Sequence, residues 1–202
     1  LRIDALEKAV REDKQNRVEA TQPEIEFCQT NRGIVQIFAD AQAKGELPQR
    51  ITHNDTKIDN VLLDQNTDEV LCIVDLDTVM PGLIHYDFGD MVRTLTSPAD
   101  EDERDLDKVT MRMDFFDALA KGYLSEANDF LSEAEKGYLA QAGKVITFQL
   151  GVRFLTDHLN GDTYFRVHRE GQNLDRARVQ FKLVERMLEN EEAMKATIAK
   201  LG

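Results

Sequence analysis

The sequence predicts a mostly α-helical fold that carries one small β-hairpin. Apolar residues recur at steps of three and four over much of the second half of the chain, which is the spacing of an amphipathic helix. Two short β-prone runs, at residues 61–63 and 70–74, are joined by the polar stretch 64–69, which indicates a hairpin. With no internal repeat and no evident linker, the 202 residues are expected to form a single domain.

The first part of the chain is expected to be helical. Residues 5–18 are charged with sparse apolar positions, which predicts an exposed helix. Thr21-Gln22-Pro23 resembles a helix cap followed by an early-turn proline, so a second helix is expected from about residue 24 to residue 43.

Three further helices are predicted after the hairpin. Ser132 and Glu135 have the spacing of a capping box, and the helix that they open is expected to run to about Leu159 and to be central because it is nearly apolar at 145–155. The other two helices are predicted from apolar residues on one face, at Leu106, Val109, Met113, Phe116, Ala120 and Tyr123, and at Leu174, Ala177, Phe181, Val184 and Leu188.

Composition excludes several classes of protein. The 42% hydrophobic content is enough for a globular core, and the net charge of −13 argues against nucleic acid or an anionic membrane as the main partner. No apolar run approaches the roughly 20 residues of a membrane span. Cys28 and Cys72 are too few for a disulfide framework, which favours the reducing cytoplasm.

The hairpin is flanked by two polar clusters, HNDTKIDN at residues 53–60 and VDLD at residues 74–77. His-x-Asp-x4-Asn followed by a strand that ends at an aspartate has the layout of a phosphotransferase catalytic loop and metal-binding strand. Phosphoryl transfer has a loose transition state, so the protein mainly positions the nucleophile and neutralises phosphate charge. Carboxylates, an amide and a lysine suit those tasks.

The chemistry suggests one role for each residue of this arrangement. Asp55 is expected to accept a hydrogen bond from the attacking hydroxyl and to orient it. Asn60 and Asp75 supply the oxygen ligands that Mg²⁺ prefers. Lys57 can reach the transferring phosphoryl group as a point charge, whereas His53 is expected to brace the loop through hydrogen bonds.

HNDTKIDN matches the signature of the aminoglycoside phosphotransferase and choline kinase superfamily, which is distantly related to the protein kinases. The strings THNDTKIDNVLLD, CIVDLDTVMPG and RFLTDHLNGDTYF look closer still to N-acetylhexosamine 1-kinases. The resemblance covers about residues 48–187. It implies the C-terminal lobe of a protein-kinase-like phosphotransferase fold, with ATP and Mg²⁺ as cofactors and the anomeric hydroxyl of an N-acetylhexosamine as acceptor.

Two aspartates outside this core set receive other roles. Asp87-Phe88-Gly89 spells the metal motif DFG of protein kinases, but it lies too far beyond the hairpin, where Asp75 already follows the strand. By resemblance, Asp87 is expected to start a helix and to tie down the backbone of the catalytic loop. Asp77 is either a metal or supporting residue, or the cap of a turn at Pro81-Gly82.

Arg153, Asp157 and Tyr164 belong to the string RFLTDHLNGDTYF. Arg153 and Asp157 are four residues apart on one helix face, so one interpretation is an intrahelical ion pair. In the other interpretation all three residues lie at the sugar, where Arg153 and Tyr164 donate hydrogen bonds to its hydroxyls or acetamide. The spacing leaves both interpretations open.

The region before the catalytic loop lacks the expected nucleotide clamp. A kinase-like enzyme has an N-terminal β-rich lobe with a phosphate-covering loop and a strand lysine. Here the residues before His53 are predicted to be helical and contain no glycine-rich phosphate loop. Residues 1–202 are therefore expected to be one helical catalytic lobe, with the nucleotide-binding lobe upstream and the fragment possessing little activity alone.

Three functions of different classes remain open from the sequence. The first is a sugar 1-kinase, and the second is a related kinase that acts on an aminoglycoside, choline or homoserine. The absence of Trp weakens the choline version, because Trp is the best ring for holding an ammonium group. The third is a remnant that keeps the fold without turnover.

Overall fold

A computed structural model describes residues 2–67 and 69–202. The described helices and strands, in chain order, are α1 (Arg2–Glu12), α2 (Gln22–Thr30), α3 (Ile37–Ala43), β1 (Arg50–Thr52), β2 (Val61–Leu63), β3 (Val70–Ile73), β4 (Met80–Gly82), α4 (Ile84–Thr96), α5 (Met113–Ala127), α6 (Glu133–Leu159), α7 (Gln172–Glu189) and α8 (Glu191–Leu201). The expected fold class, a mostly α-helical lobe with a small β region, is confirmed.

Helix α6 is the centre of the core. Its buried residues lie on several faces, and it contacts α1, α4, α7 and α8. The capping box predicted at its start is present, since Ser132 Oγ accepts from the Glu135 amide at 3.2 Å and the Glu135 carboxylate accepts from the Ser132 amide at 2.9 Å. A helix apolar on most sides has to be surrounded to be stable, which explains the central position.

The close packing of α4 against α6 depends on Gly89. A Cβ atom at this position would lie 2.5 Å from the carbonyl oxygen of Ala142 on α6, so only glycine allows the two helices to approach this closely. The preceding residue, Phe88, is fully buried in the core. Two of the three residues in the DFG string therefore serve helix packing.

The β region consists of two separate antiparallel ladders. The expected hairpin is confirmed: β2 pairs with β3, and Val61 lies opposite Ile73. In the second ladder, β1 pairs with β4, with Thr52 opposite Met80. This ladder was not predicted, and it contradicts the turn expected at Pro81-Gly82, because both residues lie in β4. It also joins the two ends of the segment that contains the polar clusters.

The N-terminal helices differ from the prediction. Helix α1 ends at Glu12 and is not an exposed helix, because Ile3, Leu6 and Ala9 are buried. The single helix expected at 24–43 is divided into α2, a 3₁₀ segment at Arg32–Gln36, and α3. The side-chain amide of Asn31 donates to the carbonyl of Phe27 at 2.9 Å, and this competition for helical carbonyls accompanies the end of α2.

Two C-terminal boundaries were also wrong. The helix expected from Leu106 begins at Met113, because residues 106–112 form a 3₁₀ turn and an extended stretch that inserts the fully buried Val109 into the core. The expected last helix corresponds to α7, but α8 follows it directly and buries Met194 and Ile198.

Candidate active site

The segment 53–60 crosses from one β ladder to the other. It leaves β1 after Thr52, ends in a 3₁₀ turn at Ile58–Asn60 and continues into β2. Asn54 and Asp75 have positive φ values of 65° and 64°, a conformation that asparagine and aspartate adopt more readily than most other residues. The backbone is therefore sharply bent in both polar clusters, and both clusters lie at the same edge of the β region.

The carboxylate of Asp87 accepts hydrogen bonds from the first two amides of this loop. Its oxygens lie 2.8 Å from the amide of His53 and 2.7 Å from that of Asn54. Burial raises the pKa of Asp87, and the two amide hydrogen bonds oppose that rise. The main-chain carbonyl of Asp87 also accepts from the hydroxyl of Thr56 at 2.6 Å. The start of α4 thus fixes the loop at three points.

The ring of His53 connects the loop to the second polar cluster. Nε2 lies 3.1 Å from the carbonyl oxygen of Val74, and because a carbonyl only accepts, Nε2 carries the proton. Nδ1 is buried and has no hydrogen-bond partner among the described residues. The hydroxyl of Thr78 donates to the carbonyl of His53 at 2.6 Å, so the same residue is held from both sides.

Asp55, Lys57 and Asn60 form one connected group. The side-chain amide of Asn60 donates to the Asp55 carboxylate at 2.9 Å and to its main-chain carbonyl at 2.8 Å. Lys57 Nζ lies 3.1 Å from Asp55 Oδ2. The hydrogen bond with Asp55, followed by the charges of Asp55, Asp75 and Asp59, raises the pKa of Lys57, which keeps this lysine positively charged.

Asp75 and Asp77 lie close enough to influence each other. A hydrogen bond with Asp77, followed by the charge of that carboxylate, raises the pKa of Asp75. The charge of Asp55 acts in the same direction, while Lys57 opposes it. Three carboxylates and one lysine therefore share a small, solvent-accessible volume in which a further cation lowers the electrostatic repulsion.

The donor set suits a hard cation such as Mg²⁺. Both protons of the Asn60 side-chain amide point to Asp55, and its oxygen accepts no hydrogen bond from the described residues. Across residues 2–67 and 69–202, no group of three or more His, Cys, Asp or Glu side chains is arranged to hold a metal ion. An amide oxygen and one carboxylate are few ligands, but Mg²⁺ commonly keeps waters and binds substrate phosphates besides one or two carboxylates.

Arg153 contacts Tyr164, not Asp157. Its Nη2 lies 3.3 Å from the Tyr164 hydroxyl, and its guanidinium lies 5.5 Å from the centre of the Tyr164 ring and 5.1 Å from that of Phe165. The intrahelical ion pair is therefore not formed. Arg153 and the 73% exposed Tyr164 line a cleft of about 300 Å³ between α1, α6 and the turn that follows α6.

Asp157 is only 4% exposed, and its carboxylate is occupied by protein donors. Its two oxygens accept from the amides of Thr163, Tyr164 and Phe165 and from the side chain of Asn173, at 2.9 to 3.0 Å. The three amide contacts hold the turn that carries Tyr164, and the contact with Asn173 ties α6 to α7. The geometry therefore gives Asp157 a supporting position and leaves no carboxylate oxygen directed to a ligand.

Several loop residues were missed by sequence reasoning. Thr56 and Thr78 hold the loop by the hydrogen bonds described above, and the Asn54 side chain donates to the carbonyl of Thr78 at 3.1 Å. The only available signal was that both threonines and Asn54 lie inside or directly beside the two polar clusters. Their partners are distant in sequence, so spacing could not identify them.

The profile of the phosphotransferase enzyme family matches residues 2–131, which include the complete loop, both β ladders and α4. The chain therefore belongs to this family, and the resemblance to the kinase-like phosphotransferase superfamily is confirmed. The closer resemblance to N-acetylhexosamine 1-kinases stays a prediction. No helix among the described residues is both long and apolar enough to cross a lipid bilayer.

Proposed function

We propose that the protein transfers the γ-phosphoryl group of ATP to a hydroxyl of a small molecule, most specifically the anomeric hydroxyl of an N-acetylhexosamine. The observation that carries this proposal is the group formed by Asp55, Lys57 and Asn60 beside Asp75, in a chain that belongs to a phosphotransferase family. Positioned carboxylates and a cation are what phosphoryl transfer requires from a protein.

In this proposal Asp55 accepts the hydrogen bond of the acceptor hydroxyl and takes its proton as the new phosphorus–oxygen bond forms and the bond from the γ-phosphorus to the bridging oxygen of ADP breaks. Asn60 holds the Asp55 carboxylate in place through its amide. Lys57, whose charge is maintained by the surrounding carboxylates, stabilises negative charge on the transferring group. Asn60 and Asp75 would hold Mg²⁺, with Asp77 as a supporting carboxylate, and the ion would supply further neutralisation of phosphate charge.

His53 and Asp87 act through the backbone. His53 binds the residue before Asp75 and so fixes the distance between the two polar clusters, whereas Asp87 binds the amides of His53 and Asn54 and so fixes the start of the loop. Small displacements of catalytic groups are costly: a 1 Å misplacement can lower a rate about 100-fold. Neither residue needs to exchange a proton with the substrate.

For the acceptor, we assign Arg153 and Tyr164 as hydrogen-bond donors. The pair is accessible, and both donors face one cleft. An uncharged sugar needs several directional hydrogen bonds, and a donor left unpaired by the wrong acceptor costs about 1–3 kcal/mol. Asp157 contributes by fixing the turn that carries Tyr164.

A nucleotide-binding lobe is expected to pack on the β ladders. Both faces of β3 and much of the other ladder expose large apolar side chains, namely Ile51, Leu62, Leu63, Val70, Leu71, Ile73, Leu76, Val79 and Met80. Large apolar side chains that are exposed in such numbers mark interaction sites. Their position directly beside Asp55 and Asp75 supports a covering lobe that encloses the phosphates. We therefore expect turnover from the protein that has both lobes. We also propose that it acts in the cytoplasm.

An acceptor panel tests the proposal in the protein with its nucleotide-binding lobe. ADP release is followed with Mg²⁺ and ATP and one acceptor at a time, and phosphorus NMR locates the new phosphate. We expect N-acetylhexosamines to exceed choline and aminoglycosides by at least about tenfold in kcat/KM. Phosphate on an amino-sugar antibiotic, or on a hydroxyl other than the anomeric one, contradicts the acceptor assignment and leaves the kinase assignment intact. The absence of ADP release with every acceptor contradicts both.

A further inference from the structure

The cleft at Arg153 continues into a second chamber. The second chamber has a volume of about 390 Å³, which is larger than the 300 Å³ of the cleft at Arg153. The two spaces share four lining residues: Ala5 on α1, Thr156 and Asn160 at the C-terminal end of α6, and Thr163 in the turn that follows. They therefore form one trough, and a ligand confined to the cleft at Arg153 would leave the second chamber to water.

The trough runs along one side of α1. Arg2 and Ala5 line the cleft at Arg153, whereas Ala5, Lys8 and Glu12 line the second chamber. Steps of three and four residues place these side chains on the same side of the helix. From Arg2 to Glu12 an α-helix rises about 15 Å, so the trough is longer than one pyranose ring with its acetamide group.

Positive side chains outnumber carboxylates in the trough. It is lined by four cations and two carboxylates, namely Arg2, Lys8, Lys14, Arg153, Glu12 and Asp157. The chain as a whole has a net charge of −13, so this local excess runs against its composition. Because salt screens exposed charges beyond about 10 Å, the groups that line the trough dominate the field on a ligand bound there. The trough therefore favours an anion.

The cations of the trough are not neutralised one by one. Lys8 and Lys14 share a single carboxylate, that of Glu12, at 3.9 and 3.0 Å. Arg2 and Arg153 form no ion pair with any described residue. The trough therefore keeps positive charge that a bound anion can neutralise.

The junction of the two chambers carries uncommitted neutral groups. The side chains of Asn160 and Thr163 make no hydrogen bond with any described residue. An amide and a hydroxyl suit sugar hydroxyls, which both donate and accept. The turn at the junction is held in place, because Arg17 donates to the Asp162 carboxylate at 2.6 Å and to the carbonyl of His158 at 2.7 Å. The junction is therefore preformed.

We propose that the acceptor is an acidic disaccharide, with its N-acetylhexosamine in the cleft at Arg153 and a hexuronic acid in the second chamber. This inference rests on the proposed function for the position of the first ring. Transfer to an anomeric hydroxyl requires only that this hydroxyl is free, so another hydroxyl of the same ring can carry the second sugar. The carboxylate of the second sugar faces Lys8 and Lys14, and Asn160 and Thr163 bind hydroxyls near the glycosidic link.

Titration calorimetry at low salt, without ATP, tests this inference on the protein with its nucleotide-binding lobe. The ligands are N-acetylglucosamine, the disaccharide that carries glucuronic acid on it, and the same disaccharide with glucose in place of glucuronic acid. The two disaccharides differ only in a carboxylate that replaces a hydroxymethyl group. We expect the acidic disaccharide to bind about tenfold more tightly than N-acetylglucosamine and about fivefold more tightly than the neutral disaccharide.

Variants of the lysines locate the site. Lys8→Gln combined with Lys14→Gln is expected to lower the affinity for the acidic disaccharide about fivefold and to remove most of the difference between the two disaccharides. Glu12→Gln should act in the opposite direction, by about twofold, because it frees both lysines. The matched control is Lys44→Gln combined with Lys121→Gln, which removes two exposed lysines outside the trough.

Three results overturn the inference. The first is equal affinity of the wild type for the two disaccharides, a comparison that needs no variant. The second is an acidic disaccharide that binds no more tightly than N-acetylglucosamine. The third is an equal loss in the control pair, because binding then reflects the overall charge of the chain.

The same ligands separate this inference from the proposed function. ADP release with N-acetylglucosamine, together with equal affinities for the two disaccharides, contradicts the inference and leaves the proposed function intact. A preference for the acidic disaccharide that depends on Lys8 and Lys14, without ADP release from any ligand when ATP and Mg²⁺ are added, supports the trough and contradicts the proposed function.

Discussion

The side-chain amide of Asn60 donates one hydrogen bond to the carboxylate of Asp55 and one to its main-chain carbonyl. This double contact fixes the orientation of the proposed base and leaves the Asn60 oxygen free for a cation. Asn60, the proposed metal ligand, therefore also positions Asp55, the proposed base for the acceptor hydroxyl. Both roles depend on the Asn60 side chain.

Replacing Asn60 by aspartate is expected to destabilise the loop. Asn60→Asp exchanges two donors for acceptors and places two carboxylates against each other, so we expect a loss of about 1–3 kcal/mol in the free energy of unfolding at neutral pH. Chemical denaturation measures this loss. The control is Asn66→Asp in the exposed turn between β2 and β3, for which a change within about 0.5 kcal/mol is expected. Equal effects in both variants contradict the assigned contact.

Asp87→Asn is expected to loosen the start of the catalytic loop. The carboxylate accepts from two amides, whereas an asparagine side chain has only one oxygen to offer. Hydrogen exchange of the His53 and Asn54 amides is therefore expected to accelerate by about tenfold or more, because a hydrogen bond to a charged group contributes about 1.5–3 kcal/mol. Asp90→Asn, one turn further along α4, should leave both amides protected, and unchanged exchange in Asp87→Asn disproves the anchoring role.

Local sequence signals predicted the parts of the fold that are stabilised locally. The Ser132–Glu135 capping box and the apolar stripe after it set the start and length of α6. The β1–β4 ladder could not be predicted in this way, because it joins two three-residue strands that are separated by the whole catalytic segment. Likewise, the late start of α5 follows from the burial of Val109 against other helices, which is a tertiary effect.

The candidate site was predictable to the extent that its residues lie in two short segments. The spacing of Asp55, Asn60 and Asp75 was sufficient to propose their chemistry. In contrast, the burial of Asp157 depends on hydrogen bonds to a turn that folds back onto α6, and helical spacing alone suggested a partner, Arg153, that it does not have. The sequence pattern therefore could not predict contacts that form only when a loop folds back onto a helix.

Gly89→Ala is expected to separate α4 from α6. The added Cβ would lie 2.5 Å from the Ala142 carbonyl oxygen, which is backbone and cannot move aside easily. We expect a loss of about 1–3 kcal/mol in stability. Gly137→Ala is the matched control, because Gly137 lies in α6 with no atom near its missing Cβ, and there alanine should stabilise the helix by about 0.5–1 kcal/mol. In thermal denaturation, we expect the midpoint temperature to fall in Gly89→Ala and to rise in Gly137→Ala. An unchanged midpoint in Gly89→Ala contradicts the packing account.

The Arg50–Glu135 ion pair is expected to make stability depend on acidic pH. Two hydrogen bonds from Arg50, at 2.6 and 2.8 Å, lower the pKa of the Glu135 carboxyl to about 2. Since the folded-state pKa lies below that of the unfolded chain, this stabilisation is complete above about pH 5 and is lost as pH falls toward about 2.

Comparing wild type with Glu135→Gln in urea at several pH values checks this expectation. The difference in unfolding free energy should be at most about 3 kcal/mol at pH 7 and should narrow by roughly half near pH 3. Arg50→Met removes the partner and should reproduce the same trend. A difference that is constant with pH contradicts a stabilisation that depends on the charge of Glu135.

The central claim, a divalent-cation site formed by Asn60 and Asp75 beside Asp55, can be tested directly with Mn²⁺ in place of Mg²⁺. In an NMR titration, paramagnetic broadening should centre on the amides of Asp55, Asn60, Asp75 and Asp77. It should be lost in Asp75→Ala and kept in Asp64→Ala, which removes a carboxylate from the β2–β3 turn. Broadening that is equally strong in both variants, or that centres elsewhere on this acidic chain, contradicts the assignment.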